Sequence, residues 1–109
     1  MASIKPIIHL LSDEELESPN IRMAIMSIET LIHDIDNCRY FADNEIISKL
    51  IILIEENTIF ATKAKYLLMT ICNNNGLARI IFKDEIIAYK LKEFNILTKE
   101  SRKRQRIEE

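Results

Sequence analysis

The phrase EIISKLIILIEEN at residues 45–57 returns in altered form as DEIIAYKLKEFN at residues 84–95. Self-similarity at a fixed spacing constrains a chain strongly, because each copy must be one structural unit and the copies must stack to bury a core. Residues 24–47, AIMSIETLIHDIDNCRYFADNEII, lie over residues 64–87, AKYLLMTICNNNGLARIIFKDEII, at a shift of forty. Ala24 then meets Ala64, Thr30 meets Thr70 and Arg39 meets Arg79, while Glu45, Ile46 and Ile47 meet Glu85, Ile86 and Ile87. Apolar character persists at Ile28 with Leu68, Leu31 with Ile71, Tyr40 with Ile80 and Phe41 with Ile81. A partial earlier copy stands at the N-terminus, where Ile4, Ile7, Ile8 and Leu11 repeat the spacing of Ile47, Leu50, Ile51 and Ile54 at a shift of 43. The three extra residues fall in the polar stretch SDEELESPN, residues 12–20, which reads as a loop.

The units are helical. With one Gly, two Pro and no Trp among 109 residues, the chain lacks the turn residues that an all-β domain of this size needs, and its 48% hydrophobic content supports one folded core. Ser18 with Pro19 behind it predicts a helix running to about Ile35. Thr58 predicts the start of the equivalent helix in the next unit, which closes at NNNG through Asn75 or Gly76. Asp43 or Asn44, and Asp84 in the later copy, start the helix that carries the repeated phrase, and NCRYFA and LARIIF are each long enough for one or two turns.

One short helix followed by two longer ones at a period of forty resembles the armadillo repeat family, with the HEAT repeats close to it. The residues that carry the resemblance are Ala24 and Ala64 on the third helix with apolar residues four and seven positions later, DNCRYF with Asn37 and Arg39, and the apolar second helix. It covers residues 4–96 and implies an all-α, right-handed α-solenoid of about two repeats plus partial flanking helices, with a repeat domain at 1–97 and a basic tail, predicted to be disordered, at 98–109. Two features depart from the family. The glycine between its first and second helices is replaced by Asn44 and Glu45, and by Asp84 and Glu85; its asparagine ladder falls on Thr30 and Thr70, and its tryptophans on Met26 and Tyr66. A face made of Met26, Thr30, His33, Tyr66, Thr70 and Asn73 is the expected partner-binding surface, without the family's mode of gripping basic peptides.

Little in the chain points to catalysis. His9 and His33 have no Cys, Asp or Glu at ligand spacing, and the pairs Glu14–Glu15 and Glu55–Glu56 sit near helix ends with nothing to bury them. No nucleophile elbow, phosphate loop or zinc pattern occurs, so no enzyme activity, metal or cofactor is expected. Cys38 and Cys72 lie in apolar context with no CxxC, which predicts buried, reduced thiols in an intracellular protein, cytoplasmic or nuclear. The longest apolar run, Ile46 to Ile54, contains a lysine and is half the roughly 20 residues that a membrane crossing takes, so no membrane association is expected.

The tail SRKRQRIEE holds four basic and two acidic residues, which leaves the rest of the chain at −4 against −2 for the whole. An acidic body speaks against a broad nucleic-acid surface. Arg102, Lys103, Arg104 and Arg106 can form a nuclear-import address, touch nucleic-acid phosphates, or simply solvate the end. The partner classes are therefore another protein or a second copy, with nucleic acid reached only through the tail. At the repeat spacing Leu50, Ile52 and Leu53 become Lys90, Lys92 and Glu93, the polar outer face of a terminal cap. The N-terminus shows no such exchange. Ile4, Ile7, Ile8 and Leu11 are therefore expected to dock on a second copy or another protein, the alternative being that they fold onto the helix that follows.

Overall fold

The computed structural model describes residues 4–73, 81 and 83–96, and all the regular structure among them is helical. Helix α1 spans Lys5–Leu11, α2 Pro19–Leu31, a 3-10 segment Ile35–Phe41, α3 Asn44–Glu55, α4 Ala61–Cys72 and α5 Glu85–Glu93. Three of these helices begin on a side chain that accepts from their first free amides. Ser18 Oγ takes Ile21 N–H at 3.3 Å, Asp43 takes Glu45 and Ile46 N–H at 2.9 and 3.3 Å, and Asp84 takes Ile86 and Ile87 N–H at 3.0 and 3.1 Å.

Two boundaries differ from the sequence expectation, each for a local reason. Helix α2 stops at Leu31 instead of Ile35, because Asn37 Nδ2 donates to Leu31 O at 3.1 Å and Cys38 Sγ to Ile32 O at 3.8 Å, satisfying the carbonyls that another turn would have used. Thr58 closes α3 and precedes α4 by a turn. Its hydroxyl donates to Leu53 O at 2.8 Å and accepts from Phe60 N–H at 3.3 Å, while Asn57 takes the left-handed conformation at φ 51°. The sites Asn75 and Gly76 and most of LARIIF lie outside the described residues.

The spacing of forty holds between α2 and α4 but not between α3 and α5. Ala24, Ala64, Ile28 and Leu68 are all fully buried, as a shift of forty requires. In α3 and α5 the capping aspartates are 41 apart, and burial follows the caps. Ile46 and Ile87 stand three residues after their caps, Leu50 and Leu91 seven after, and all four are buried. Ile86 therefore occupies the place of exposed Glu45, and it is 69% exposed although the residue forty before it, Ile46, is fully buried. The later helix also ends early: Asn95, at φ 61°, plays the part of Asn57, and Ile96 N–H reaches back to Leu91 O at 2.9 Å as Thr58 N–H reaches Leu53 O at 3.2 Å.

Helix α3 packs most extensively on α4 and also touches α1 and α5; α1 lies on α2, and α2 touches α4. One continuous core results, joining Ile7 and Leu11 to Ile21, Ile28, Leu50, Leu67 and Leu91. The polar stretch between α1 and α2 is tied across it, since Lys49 Nζ donates to Asp13 O at 3.1 Å and Glu17 Oε2 accepts from Ile59 N–H at 2.6 Å. The Asp13 carboxylate accepts from Glu15 N–H and Asn20 Nδ2, both at 3.0 Å, and the backbone bond from Glu15 leads the causes that hold it below the usual carboxylate range. Between α3 and α5, Lys90 Nζ meets Glu55 Oε1 at 3.2 Å.

Two measurements check this packing. Ala64→Leu forces three added heavy atoms into a fully buried position and is expected to destabilise by about 1–3 kcal/mol in a denaturant melt, while Thr62→Leu on the exposed side stays within about 0.5 kcal/mol. Equal effects would contradict the placement of α4. Cys38 and Cys72 are both buried, and desolvation pushes the Cys72 thiol up to about 12. A thiol-reactive dye at pH 8 should label neither in the folded protein and both in denaturant. Rapid labelling without denaturant would show that this core is open.

Candidate functional site

The buried positions of α2, Ile21, Ala24, Ile25 and Ile28, leave the opposite side of the helix outside the core. That side is not polar. Pro19, Met23, Met26 and Leu31 supply the apolar lining of an open hollow of about 720 Å³, Ser27 and Thr30 its small groups, and Arg22 its charge. Met23 and Met26 are 56% and 62% exposed, so large unbranched side chains project into water where a solvated face would carry charges. Arg22 forms no ion pair with a described residue.

The same positions one repeat later have a different fate. Leu67 and Ile71, forty residues after Ser27 and Leu31, are fully buried, whereas Ser27 and Leu31 are half-buried. Helix α4 has α2 beside it, while the described lining of the hollow comes from α2 alone. An ion pair between Lys63 and Glu29 spans the α2–α4 contact; the Lys63 side chain is well exposed, whereas the Glu29 oxygen that takes part is covered.

Of the six residues expected on the partner-binding face, Met26, Thr30, His33, Tyr66 and Asn73 are exposed and Thr70 is half-buried. The two threonines behave identically. Thr30 Oγ1 donates to Met26 O and Thr70 Oγ1 to Tyr66 O, each at 3.0 Å, so their hydroxyl protons are used within their own helices. The hollow gathers Met26 and Thr30; His33, Tyr66, Thr70 and Asn73 do not line it. Tyr66 is 52% exposed on α4, with Met69 also exposed one turn further on.

Of the N-terminal residues expected to dock on a partner, Ile7 and Leu11 are buried in the core, and Ile4 and Ile8 are half-buried against it. Arg102, Lys103, Arg104 and Arg106 lie outside the described residues. Sequence reasoning missed Pro19, Arg22, Met23, Ser27 and Leu31. Met23 and Met26, three apart and out of phase with the buried residues, carried the signal, but methionine reads as core when no neighbour is known.

Among the described residues no three His, Cys, Asp or Glu side chains are placed to hold a metal ion, and no helix is long and apolar enough to cross a membrane. Compared with models of protein families, with curated proteins and with solved structures, the chain matches none.

The spent hydroxyls give a direct test. Thr30→Val and Thr70→Val remove only a bond that competes with the helix backbone, and each is expected to change stability by less than about 0.5 kcal/mol. A loss above about 1.5 kcal/mol from either would mean that the hydroxyl has a tertiary partner.

Proposed function

We propose that the protein is a non-enzymatic protein-interaction module, a short right-handed α-solenoid of about two armadillo-like repeats with partial flanking helices, which engages a partner through the outer side of α2 and α4. The observation that carries this reading is the apolar hollow on α2 with two exposed methionines; Tyr66 and Met69 are likewise exposed on α4. A cluster of that kind facing water is destabilising for solubility and is retained where it meets another surface.

The repeat arrangement draws support from paired details: buried Ala24 and Ala64, and the matching bonds of Thr30 and Thr70. It also accounts for the hollow. In stacked repeats each third helix covers the next, and among the described residues no equivalent of α2 stands before it. Among the described residues the lining holds one charged side chain and no acid–base pair, which suits a complementary surface and gives a reaction little to work with.

Capture from a lysate of the source cell, with partners identified by mass spectrometry, tests this. Tyr66→Ala and Met26→Asp should each weaken a captured partner by about tenfold or more, because exposed aromatic and apolar anchors carry most of the binding energy. Binding should persist at about 0.5 M salt, since an apolar interface lacks the steep dependence of phosphate contacts. Full affinity in both variants would exclude this face.

A further inference from the structure

Ser12 closes α1 and opens the polar loop that leads to α2. It is exposed, and three carboxylates, Asp13, Glu14 and Glu15, follow it directly. Ser12 to Ser18 belong to no helix, and the stretch is held to the body by the bonds of Lys49 and Glu17 and by half-buried Leu16, so it opens more readily than a packed helix. The other described hydroxyls each lack part of this setting. Ser18, although Pro19 follows it, is buried and caps α2; Ser27, Thr30, Ser48, Thr62 and Thr70 lie within helices; Thr58 is tied between Leu53 O and Phe60 N–H. An enzyme that takes a hydroxyl from an extended segment and selects carboxylates after it meets Glu14 and Glu15 here, both exposed and neither in an ion pair with a described residue.

A phosphate on this hydroxyl acts on α1. Ser12 Oγ donates to His9 O at 2.6 Å, a bond that an ester, having no proton there, cannot make. The phosphate also sets about two negative charges at the negative end of the helix, beside Asp13, Glu14 and Glu15. Among the described residues, the hollow of about 270 Å³ that Ser12 lines holds one cation, Lys49, whose Nζ already bonds Asp13 O, and one further carboxylate, Glu45. Repulsion therefore exceeds what Lys49 returns. Helix α1 has seven residues and no side-chain cap at its start, so it keeps its place by burying Ile7 and Leu11 rather than by its own stability.

We propose that Ser12 is a phosphorylation site for an acid-directed protein kinase, and that the phosphate loosens α1 from the rest of the core. In the transfer Ser12 Oγ attacks the terminal phosphorus of a nucleoside triphosphate. The Oγ–P bond forms, the bond from that phosphorus to the bridging oxygen breaks, the nucleoside diphosphate leaves, and the hydroxyl proton passes to the kinase's base. Loosened, α1 uncovers Ile7 and Leu11, the apolar residues it otherwise buries.

The folded full chain, incubated with a purified acid-directed serine kinase and a magnesium nucleoside triphosphate, tests this, with the product located by mass spectrometry. Phosphate should enter at Ser12. Glu14→Lys combined with Glu15→Lys should slow that transfer at least about tenfold. Unfolding cannot imitate the loss, because it opens the loop and speeds transfer. Hydrogen exchange reads the consequence: in the phosphorylated chain the amides of Ile8 to Leu11 should exchange at least about tenfold faster, with those of Leu50 to Leu53 in α3 unchanged. Ser12→Ala loses the bond to His9 O without gaining charge, and should speed exchange in α1 by less than about threefold. No phosphate on Ser12, a rate indifferent to the two lysines, exchange in α1 unchanged by the phosphate, or Ser12→Ala exchanging as fast as the phosphorylated chain would overturn the proposal.

Discussion

Helix α3 is the element on which the rest of the molecule depends, because it is apolar over most of its circumference. Ile46, Ile47, Leu50, Ile51 and Leu53 are all buried, and residues at those five positions cannot be covered from one direction. Helices α1, α4 and α5 all touch it. A helix hydrophobic on several sides is insoluble alone, so the flanking helices are held by its need for cover as much as by their own amphipathic stripes. Its ends are fixed with equal care: Asp43 holds the first amides, and Asn57 with Thr58 closes the last carbonyls, so it cannot slide a turn without losing both.

The periphery differs from this centre in what it leaves uncovered. Helix α5 has the same caps in a shorter frame, and its exposed side carries Lys90, which reaches Glu55, and the exposed Lys92 and Glu93. Helix α2 has no such dress on its outer side. Where α4 places Leu67 and Ile71 under cover, α2 places Ser27 and Leu31 at the edge of an open hollow beside two methionines. Ser27 in place of a leucine reduces apolar area, but Met23 and Met26 restore it. Helices α5 and α2 are therefore unlike outside the core, α5 setting charges beside exposed Ile86 and Tyr89 and α2 presenting an open apolar hollow.

Much of the fold was legible because it is written in local chemistry. Ser18 with Pro19, Asp43 and Asp84 are short-range signals whose bonds form within three residues, and the all-helical class followed from composition and the absence of turn residues. The register of the second helix was not legible. Glu45, Ile46 and Ile47 repeat as Glu85, Ile86 and Ile87, yet the capping aspartates lie one residue further apart, and a cap bonded to two amides decides the helix start more firmly than a matching tripeptide. The N-terminal isoleucines are a similar case. Their density says only that they need cover, and Ile7 and Leu11 find it within the chain, on a core that no short-range pattern reveals. For the site, Met26 and Thr30 were found by the repeat, whereas Arg22 and Leu31 became visible only when the hollow joined them.

The threonines determine what kind of recognition such a face supports. An asparagine at Thr30 or Thr70 would offer two donors and an acceptor to an extended chain lying across the helices. A threonine whose hydroxyl proton already bonds the carbonyl four residues back offers chiefly a methyl group. Around it stand Met23, Met26 and Met69, whose unbranched chains conform to different shapes at low cost. Specificity on a surface of that composition cannot come from a row of backbone hydrogen bonds. It has to come from shape and from the few charges at the margin, of which Arg22, without an ion pair to a described residue, is the one in the described lining.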